Sequence, residues 1–160
     1  MRVVSDAGPL ITLSRAGYLW LLPTLFGKVT IPRAVYVEVV EKGRKRLNAE
    51  EIREASWLNV KEVKNKTALR LVAGQLDFGE AEAVVLAEEV KADLLLVDDL
   101  KARRFALLTG LRIGGTIMVL SISMKKNLLA EPPELVLQKL KRAGMYLSDE
   151  VAERLLKGNV

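Results

Sequence analysis

The amino-acid sequence predicts an α/β fold in which helices flank a central parallel sheet. Short apolar runs of strand length, such as RVVS at residues 2–5 and LLLV at residues 94–97, are each followed at once by a helical pattern. The order of helix, strand and helix around LLLV is typical of parallel sheets, whose strands are buried on both faces. A chain of 160 residues that is 50% hydrophobic has room for one such domain with a sizeable core.

The composition excludes several classes of enzyme site. The chain contains no cysteine and no histidine, which removes disulfides, thiolate nucleophiles, histidine bases and the usual zinc sites. Chemistry must come from carboxylates, lysines, hydroxyls or hard metal ions. The longest apolar runs fall far short of the ~20 residues of a membrane span, so we expect a cytoplasmic protein without a membrane partner. A net charge of +5 fits a polyanionic partner.

The first predicted strand ends on an acid. Asp6 follows the strand, and Ala7, Gly8 and Pro9 then open a helical pattern. An aspartate in this position often serves only as a helix cap. Because a later strand also ends on acids, we interpret Asp6 as part of a site at the carboxyl ends of the strands.

The next elements supply core residues and one unusual acid. Residues 18–26 (YLWLLPTLF) predict an apolar helix with a packing role, and residues 28–31 (KVTI) predict a strand that Pro32 stops. The helix predicted over residues 33–42 carries Glu38 among valines. A solvated helix face would explain this glutamate, and a place in the site is the alternative.

The middle of the chain predicts mainly connecting structure. Residues 43–48 (GRKRLN) read as a basic loop whose cations form a solvated face. A short helix at residues 49–55, a strand at residues 57–63 and a helical segment at residues 67–73 follow. Residues 74–79 then form a loop. We assign none of these segments to the site.

The stretch GEAEAVVLAEEVKADLLLVDDLKARR, residues 79–104, brings four acids together. Apolar residues with helical spacing place Glu80 and Glu82 at the start of a largely buried helix, whose dipole stabilises carboxylates. The strand LLLV then ends directly on Asp98 and Asp99. Ligands of open parallel sheets bind beyond the carboxyl ends of the strands, which is where these two aspartates are expected.

Basic residues follow the paired aspartates. Lys101, Arg103 and Arg104 lie in the first turns of the amphipathic helix LKARRFALL. Cations beside a carboxylate cluster offset the repulsion among its negative charges. The arginines can also bind a substrate phosphate.

The last part of the chain predicts a short strand at residues 111–113, a turn at Gly114 and Gly115, and an apolar helix over residues 116–126. A helix begins at the proline pair of residues 132–133, and Ser148 caps the last one. This tail predicts a helical hairpin with a packing, dimerisation or partner-binding role.

The acids are expected to meet at one end of the sheet, because each follows a strand or lies on a neighbouring helix. Several carboxylates share a pocket in ionised form only when a cation offsets their repulsion, and oxygen ligands select Mg²⁺ or Mn²⁺. Such an ion can polarise a phosphoryl oxygen and activate a water for phosphodiester hydrolysis. The candidate metal ligands are Asp6, Glu38, Glu80, Glu82, Asp98 and Asp99.

Four segments resemble the acidic motifs of PIN domains. They are VVSDAGPLI, the glutamate in IPRAVYVEVV, GEAEAVVLA and LLLVDDLKARRFA. Over roughly residues 1–125, the chain is similar to the prokaryotic PIN-like proteins related to the VapC toxins. The resemblance implies a Rossmann-like PIN domain and Mg²⁺- or Mn²⁺-dependent cleavage of RNA, often by a toxin whose protein partner is an antitoxin.

The resemblance also implies catalytic residues. Asp6, Glu38 and Asp99 match the acids of the first, second and fourth motifs, and Glu82 matches the third, where the VapC-like proteins usually have aspartate. The sequence GEAEA also resembles a motif of flap endonucleases, in which both glutamates bind the metal ions. Helix positions two apart point about 200° from each other, so Glu80 joins Glu82 only if it precedes the regular helix.

Two further residues take supporting roles in this resemblance. Asp98 stands where VapC-like proteins usually carry Asn or another polar residue, and Ser5 can orient Asp6 or a bound water. With Lys101, Arg103 and Arg104, Ser5 completes the expected substrate-binding set. The expected organisation is a PIN-like nuclease domain at residues 1–126 and a helical extension at residues 127–160 packed on the same domain.

Other functions stay open at this point. One is a catalytically silent PIN-like module that binds nucleic acid or an antitoxin-like protein. Another is a phosphoacceptor receiver domain, which fits less well because the paired acids follow a late strand. The apolar tail makes a homodimer a reasonable expectation.

Overall fold

The computed structural model describes residues 1–43 and 49–158, so the predicted basic loop lies largely outside the described residues, at residues 44–48. Within these ranges, five parallel strands form one sheet with the order β3-β2-β1-β4-β5. The strands are β1 (Val3–Ser5), β2 (Val29–Pro32), β3 (Leu58–Lys61), β4 (Leu94–Leu96) and β5 (Ile113–Gly114).

Helices connect the strands and cover both faces of the sheet, which confirms the α/β prediction. They are α1 (Ala7–Ala16), α2 (Leu21–Phe26), α3 (Arg33–Tyr36), α4 (Ala49–Arg53), α5 (Lys66–Ala73), α6 (Phe78–Glu89), α7 (Leu100–Leu108), α8 (Thr116–Lys125), α9 (Pro133–Arg142) and α10 (Asp149–Leu156). A π-helical segment, Val37–Glu41, continues α3. None of the helices described is long and apolar enough to cross a membrane.

The sheet separates two apolar cores. Alternate residues of a strand point to opposite faces. Val3 therefore packs with the core that α1, α8 and the C-terminal helices cover, and Val4 packs with the core beneath α5, α6 and α7. The strands are thus buried on both sides, as parallel sheets require.

The C-terminal helices share the first of these cores. Val136 and Leu140 of α9 and Leu155 of α10 are completely buried in the same cluster as Leu10 of α1. A polar contact adds to this packing at the protein surface. The Tyr18 hydroxyl donates to Glu131, and the Lys139 ammonium pairs with the same carboxylate and lies 5.2 Å from the Tyr18 ring centroid.

The two glycines at the end of β5 differ from their predicted role as a turn. Gly114 belongs to β5 and pairs with Leu96, and Gly115 is the extended residue that precedes α8. Their lack of a side chain serves close packing, because a Cβ on Gly115 would stand 2.5 Å from Asp98 Oδ1. A short strand ending in glycines resembles a turn in sequence, which explains the difference.

The topology defines one crevice. The chain proceeds from β1 outward to β2 and β3, and it then returns to the other side of β1 to form β4 and β5. The direction of winding reverses between β1 and β4, and open α/β sheets bind ligands at the carboxyl ends of such a pair. The residues that directly follow β1 and β4 therefore line this crevice.

Candidate functional site

Asp6 lies at the crevice between β1 and β4. It is the residue between β1 and α1, its side chain is buried, and its N–H group donates to the carbonyl oxygen of Leu96 over 2.9 Å. Gly8, in the first turn of α1, lies beside the residue that follows β4 by two positions, since a Cβ on Gly8 would be in ordinary contact with Asp98 Cβ at 3.5 Å. The sequence thus brings the first and last predicted acids to one place.

Burial and neighbouring acids destabilise the ionised form of Asp6. Burial, with the negative charges of Glu38 and Asp98, raises the pKa of Asp6 from 3.8 to about 6, while the backbone N–H groups of Ala7 and Gly8 oppose the shift. The N–H groups of the first turn of α1 thus face this carboxylate as they would face a helix cap, but the neighbouring acids add a repulsion that a simple cap does not have. Its environment is that of an acid in a carboxylate cluster.

Asp98 has both oxygens occupied. It accepts hydrogen bonds from the N–H group of Thr116 over 2.8 Å and from the Thr116 hydroxyl over 2.6 Å. Burial raises the pKa of Asp98, whereas these hydrogen bonds and the nearby Arg103 lower it. Arg103 itself donates to the carbonyl oxygen of Val97 over 2.8 Å. Asp98 therefore ties the end of β4 to the start of α8.

Asp99 is exposed and caps α7. Its Oδ1 accepts a hydrogen bond from the N–H group of Ala102 over 2.8 Å, which satisfies one of the free amides at the helix start. The second carboxylate oxygen of Asp99 takes no part in this cap. An aspartate here can therefore cap a helix and present one oxygen to a ligand.

The two glutamates of α6 have different partners. Glu80 accepts a hydrogen bond from the N–H group of Asp77 over 3.2 Å, and burial together with the charges of Asp99 and Asp6 raises the pKa of Glu80 to about 7. Glu82 is buried and accepts a hydrogen bond from the N–H group of Ala34 over 2.8 Å. Both residues lie inside the regular helix, so they point in different directions.

Glu38 approaches the site from the π-helical segment. Its side chain is exposed, and its Oε2 is near Gly79, where a Cβ would stand 3.2 Å away. Glu38 and Glu82 line one groove together with the cations Arg33 and Lys42. The charge of Glu38 also contributes to the raised pKa of Asp6, so Glu38 belongs to the same electrostatic environment.

The expected substrate-binding residues surround these acids. The Ser5 hydroxyl is buried and donates to the carbonyl oxygen of Asp6 over 2.9 Å, so it contacts the main chain of the acid. Lys101 and Arg104 are exposed on α7. Thr116, which bonds Asp98, was not predicted as a site residue, although a threonine directly after a strand and two glycines is a usable signal.

The donor chemistry of the cluster fits a hard divalent cation. Asp6 and Glu80 both have raised pKa values, partly because like charges surround them, and a cation would offset that repulsion. Over residues 1–43 and 49–158, however, no group of three or more acidic residues is arranged to hold an ion as it stands. Several of the carboxylates instead accept hydrogen bonds from backbone N–H groups.

The contact between Glu82 and Ala34 leads to a stability prediction. Glu82→Ala is expected to lower the free energy of unfolding by about 1–2 kcal/mol, because the N–H group of Ala34, at the start of α3, loses its acceptor. Glu82→Gln keeps an acceptor oxygen and is expected to cost less. Urea denaturation of both variants checks the difference. Equal losses in both would show that the negative charge, and not the hydrogen bond, stabilises α3.

Comparison with known proteins adds one finding. Residues 2–159 of the chain match the family model DUF3368, which is described as a PIN domain. The match covers nearly the whole chain, including the C-terminal helices. No curated protein matches the sequence.

Proposed function

Because the chain belongs to the PIN-domain family, whose members are generally nucleases, we propose that this protein is a Mg²⁺- or Mn²⁺-dependent ribonuclease that hydrolyses phosphodiester bonds in RNA. The observation that carries the proposal is that the charges of Asp6 and Asp99, which follow β1 and β4 at the switch point of the sheet, both act on Glu80. Such clusters of perturbed carboxylates are typical of functional sites.

Four acids are proposed to hold the ion. Glu80 interacts electrostatically with Asp6 and with Asp99, and the charge of Glu38 acts on Asp6. When bound, Mg²⁺ or Mn²⁺ supplies Lewis acidity toward a phosphoryl oxygen and acidifies a water molecule. Mg²⁺ commonly keeps several waters and needs only one or two protein carboxylates, which is compatible with carboxylates that also accept backbone hydrogen bonds.

Residues around the four acids are proposed to position the site and to bind the substrate. Asp98 holds α8 against β4 through Thr116, so it would fix the crevice without taking part in the reaction. Lys101 and Arg104, exposed on the helix that Asp99 caps, would attract the phosphates of the substrate. The net charge of +5 supports a polyanionic substrate.

The biological setting that we propose rests on the motif resemblance. The protein would act in the cytoplasm as the toxin of a toxin–antitoxin pair, with an antitoxin protein that blocks its RNA site. Exposed leucines on α7, Leu100, Leu107 and Leu108, supply apolar surface for such a partner or for a second copy in a homodimer.

A second candidate function is a silent module that binds nucleic acid or a protein partner without cleavage. It is favoured by the hydrogen bonds that Glu82, Asp98 and Asp99 already make to backbone N–H groups. In this alternative the acids stabilise the fold, and no ion is needed. Whether the protein binds a divalent metal ion distinguishes the ribonuclease from the silent module.

Calorimetric titration of the metal-free protein with Mn²⁺ provides the test. We expect one site in the wild-type protein and at least about a tenfold weaker affinity in Asp99→Asn, because a ligand charge is lost. Asparagine caps helices as well as aspartate does, so this variant keeps α7. The control is Asp149→Asn, which removes an exposed acid from the first turn of α10.

Cleavage assays complete this test. Wild-type protein with Mn²⁺ is incubated with RNA and DNA of the same base sequence, with and without EDTA. Cleavage that requires Mn²⁺ and the Asp99 carboxylate would support the ribonuclease. No Mn²⁺ binding by the wild-type protein, together with RNA binding that persists in EDTA, would replace it with the silent module.

A further inference from the structure

A mainly apolar cavity adjoins the acidic site on the side of α8. Its volume is about 400 Å³, and it lies among the start of α7, one face of α8 and the segment that joins α9 to α10. Ile117, Met118, Ile122, Leu147 and Val151 supply most of its apolar wall. A cavity of this size and character lies in the usual range of small-ligand sites.

The cavity shares one wall residue, Asp98, with the acidic cluster. Asp98 and Gly115 form part of its wall, and Asp98 also lies against Gly8 in the first turn of α1. The charge of Asp98 acts on Asp6. A ligand in the cavity would therefore sit beside whatever group the acids hold.

An aromatic ring stands at the same cavity almost fully in solvent. Tyr146 belongs to the segment between α9 and α10, lines the cavity, and has a relative exposure of 90%. Leu100, which is 69% exposed, lies on the α7 side of the cavity. An exposed aromatic ring beside an apolar cavity offers a face on which a flat, partly apolar group can stack.

Two guanidinium groups give the cavity a preference for anionic ligands. Arg103 and Arg154 both line it. Arg154 is 3.6 Å from Glu150, but both side chains are largely exposed, so this ion pair is weak and leaves Arg154 able to engage a phosphate. A purely apolar peptide would make no use of these charges.

We propose that this cavity binds a nucleobase of the substrate strand, stacked on Tyr146, next to the phosphodiester group held at the acids. The inference deepens the proposed ribonuclease function and rests on it for the identity of the strand. Arg103 and Arg154 contact the phosphates on either side of the base. The C-terminal helices thereby give the protein a subsite for one base of the strand.

The test uses the four methionine methyl groups as position markers. Metal-free protein with ¹³C-labelled methionine methyls is titrated with the four ribonucleoside 5′-monophosphates in EDTA, and with ribose 5-phosphate as the probe that lacks a base. Signals of Met118 and Met145, which line the cavity, are expected to shift with at least one nucleotide. Met1 lies outside the cavity and is expected to keep its position.

Substitutions locate the base. Tyr146→Ala is expected to weaken nucleotide binding by about tenfold, in line with the loss of one stacking contact, and Tyr146→Phe is expected to retain it. The ring is almost entirely exposed, so neither change threatens the fold. Leu71→Ala, which truncates an exposed side chain on α5 outside the cavity wall, is the matched control.

The outcomes separate this inference from the proposed nuclease activity. The titration needs neither metal nor cleavage, so an inactive protein tests it equally well. Equal shifts with ribose 5-phosphate and nucleotides, unchanged methyl signals with every nucleotide, or full binding by Tyr146→Ala would each overturn the base subsite. If the protein cleaves RNA but gives one of these results, the base subsite is rejected and the proposed nuclease function is kept.

Discussion

Asp6→Asn is expected to lower Mn²⁺-dependent cleavage of RNA by about a hundredfold or more, because it removes a charge from the centre of the carboxylate cluster. Asp6 is buried between β1 and α1, where the charges of Glu38 and Asp98 act on it. Asparagine has the same size and keeps the backbone hydrogen bond to Leu96. The measurement is single-turnover cleavage at saturating enzyme.

The same substitution is expected to stabilise the metal-free protein, which excludes unfolding as the cause of lost activity. Burial raises the pKa of Asp6 to about 6 in the folded state. The ionised carboxylate therefore destabilises the fold above that pH, whereas below the unfolded-state pKa of 3.8 both states are protonated and nothing is lost.

The stability difference follows from the size of that shift. Asp6→Asn is expected to raise the free energy of unfolding by about 3 kcal/mol at pH 8 in EDTA, and this gain should fade between pH 6 and pH 4. Urea denaturation at pH 8 and pH 4 measures it. A parallel preparation without the protein controls for contaminating nucleases. If the variant cleaves RNA as fast as the wild-type protein, Asp6 is not part of the site.

Gly115→Ala is expected to destabilise the protein by about 3 kcal/mol, because its Cβ would collide with a tightly bonded junction. The added atom would stand 2.5 Å from Asp98 Oδ1, 2.9 Å from Arg103 Nη1 and 3.0 Å from the carbonyl oxygen of Val97. The backbone at Gly115 is extended, with φ of −159°, so the cost is steric. Moving Asp98 aside would break its bonds to Thr116.

Gly114→Ala is the matched control for this prediction. Its Cβ would meet Cε and Sδ of Met118, at 2.3 Å and 2.6 Å, but these atoms form the end of a flexible, half-buried side chain that can move. We expect a loss below about 1.5 kcal/mol. Thermal and urea denaturation compare the two variants, and an equal loss in both would contradict the tight junction at Asp98.

Local signals in the sequence were sufficient for the fold class. Apolar runs of strand length alternate with helical patterns, and Ser148 caps α10 as predicted by accepting a hydrogen bond from the N–H group of Val151. These features involve residues only a few positions apart. The same locality makes strand ends visible, which is why Asp6, Asp98 and Asp99 could be nominated as site residues before the structure was known.

Contacts between distant parts of the chain escaped the sequence analysis. Glu82 meets Ala34 across 48 positions, and Thr116 meets Asp98 across 18. No periodicity indicates such pairs, so Ala34 could not be predicted as the partner of Glu82, although helix geometry already predicted that Glu80 and Glu82 point in different directions. The role of Glu82 as a metal ligand stays a prediction. Tyr146 was overlooked for a similar reason, because its cavity forms only when the C-terminal segment packs beside α8.

The pairing of β1 with β4 also has a consequence for biosynthesis. Val3 pairs with Leu94 and Ser5 with Leu96, so Asp6 can meet the aspartates after β4 only when most of the chain has left the ribosome. Non-local pairings of this kind form late, since the loop between them must close first. If the proposed function holds, the chain carries no assembled site during most of its own translation, while it is held as peptidyl-tRNA beside ribosomal and messenger RNA.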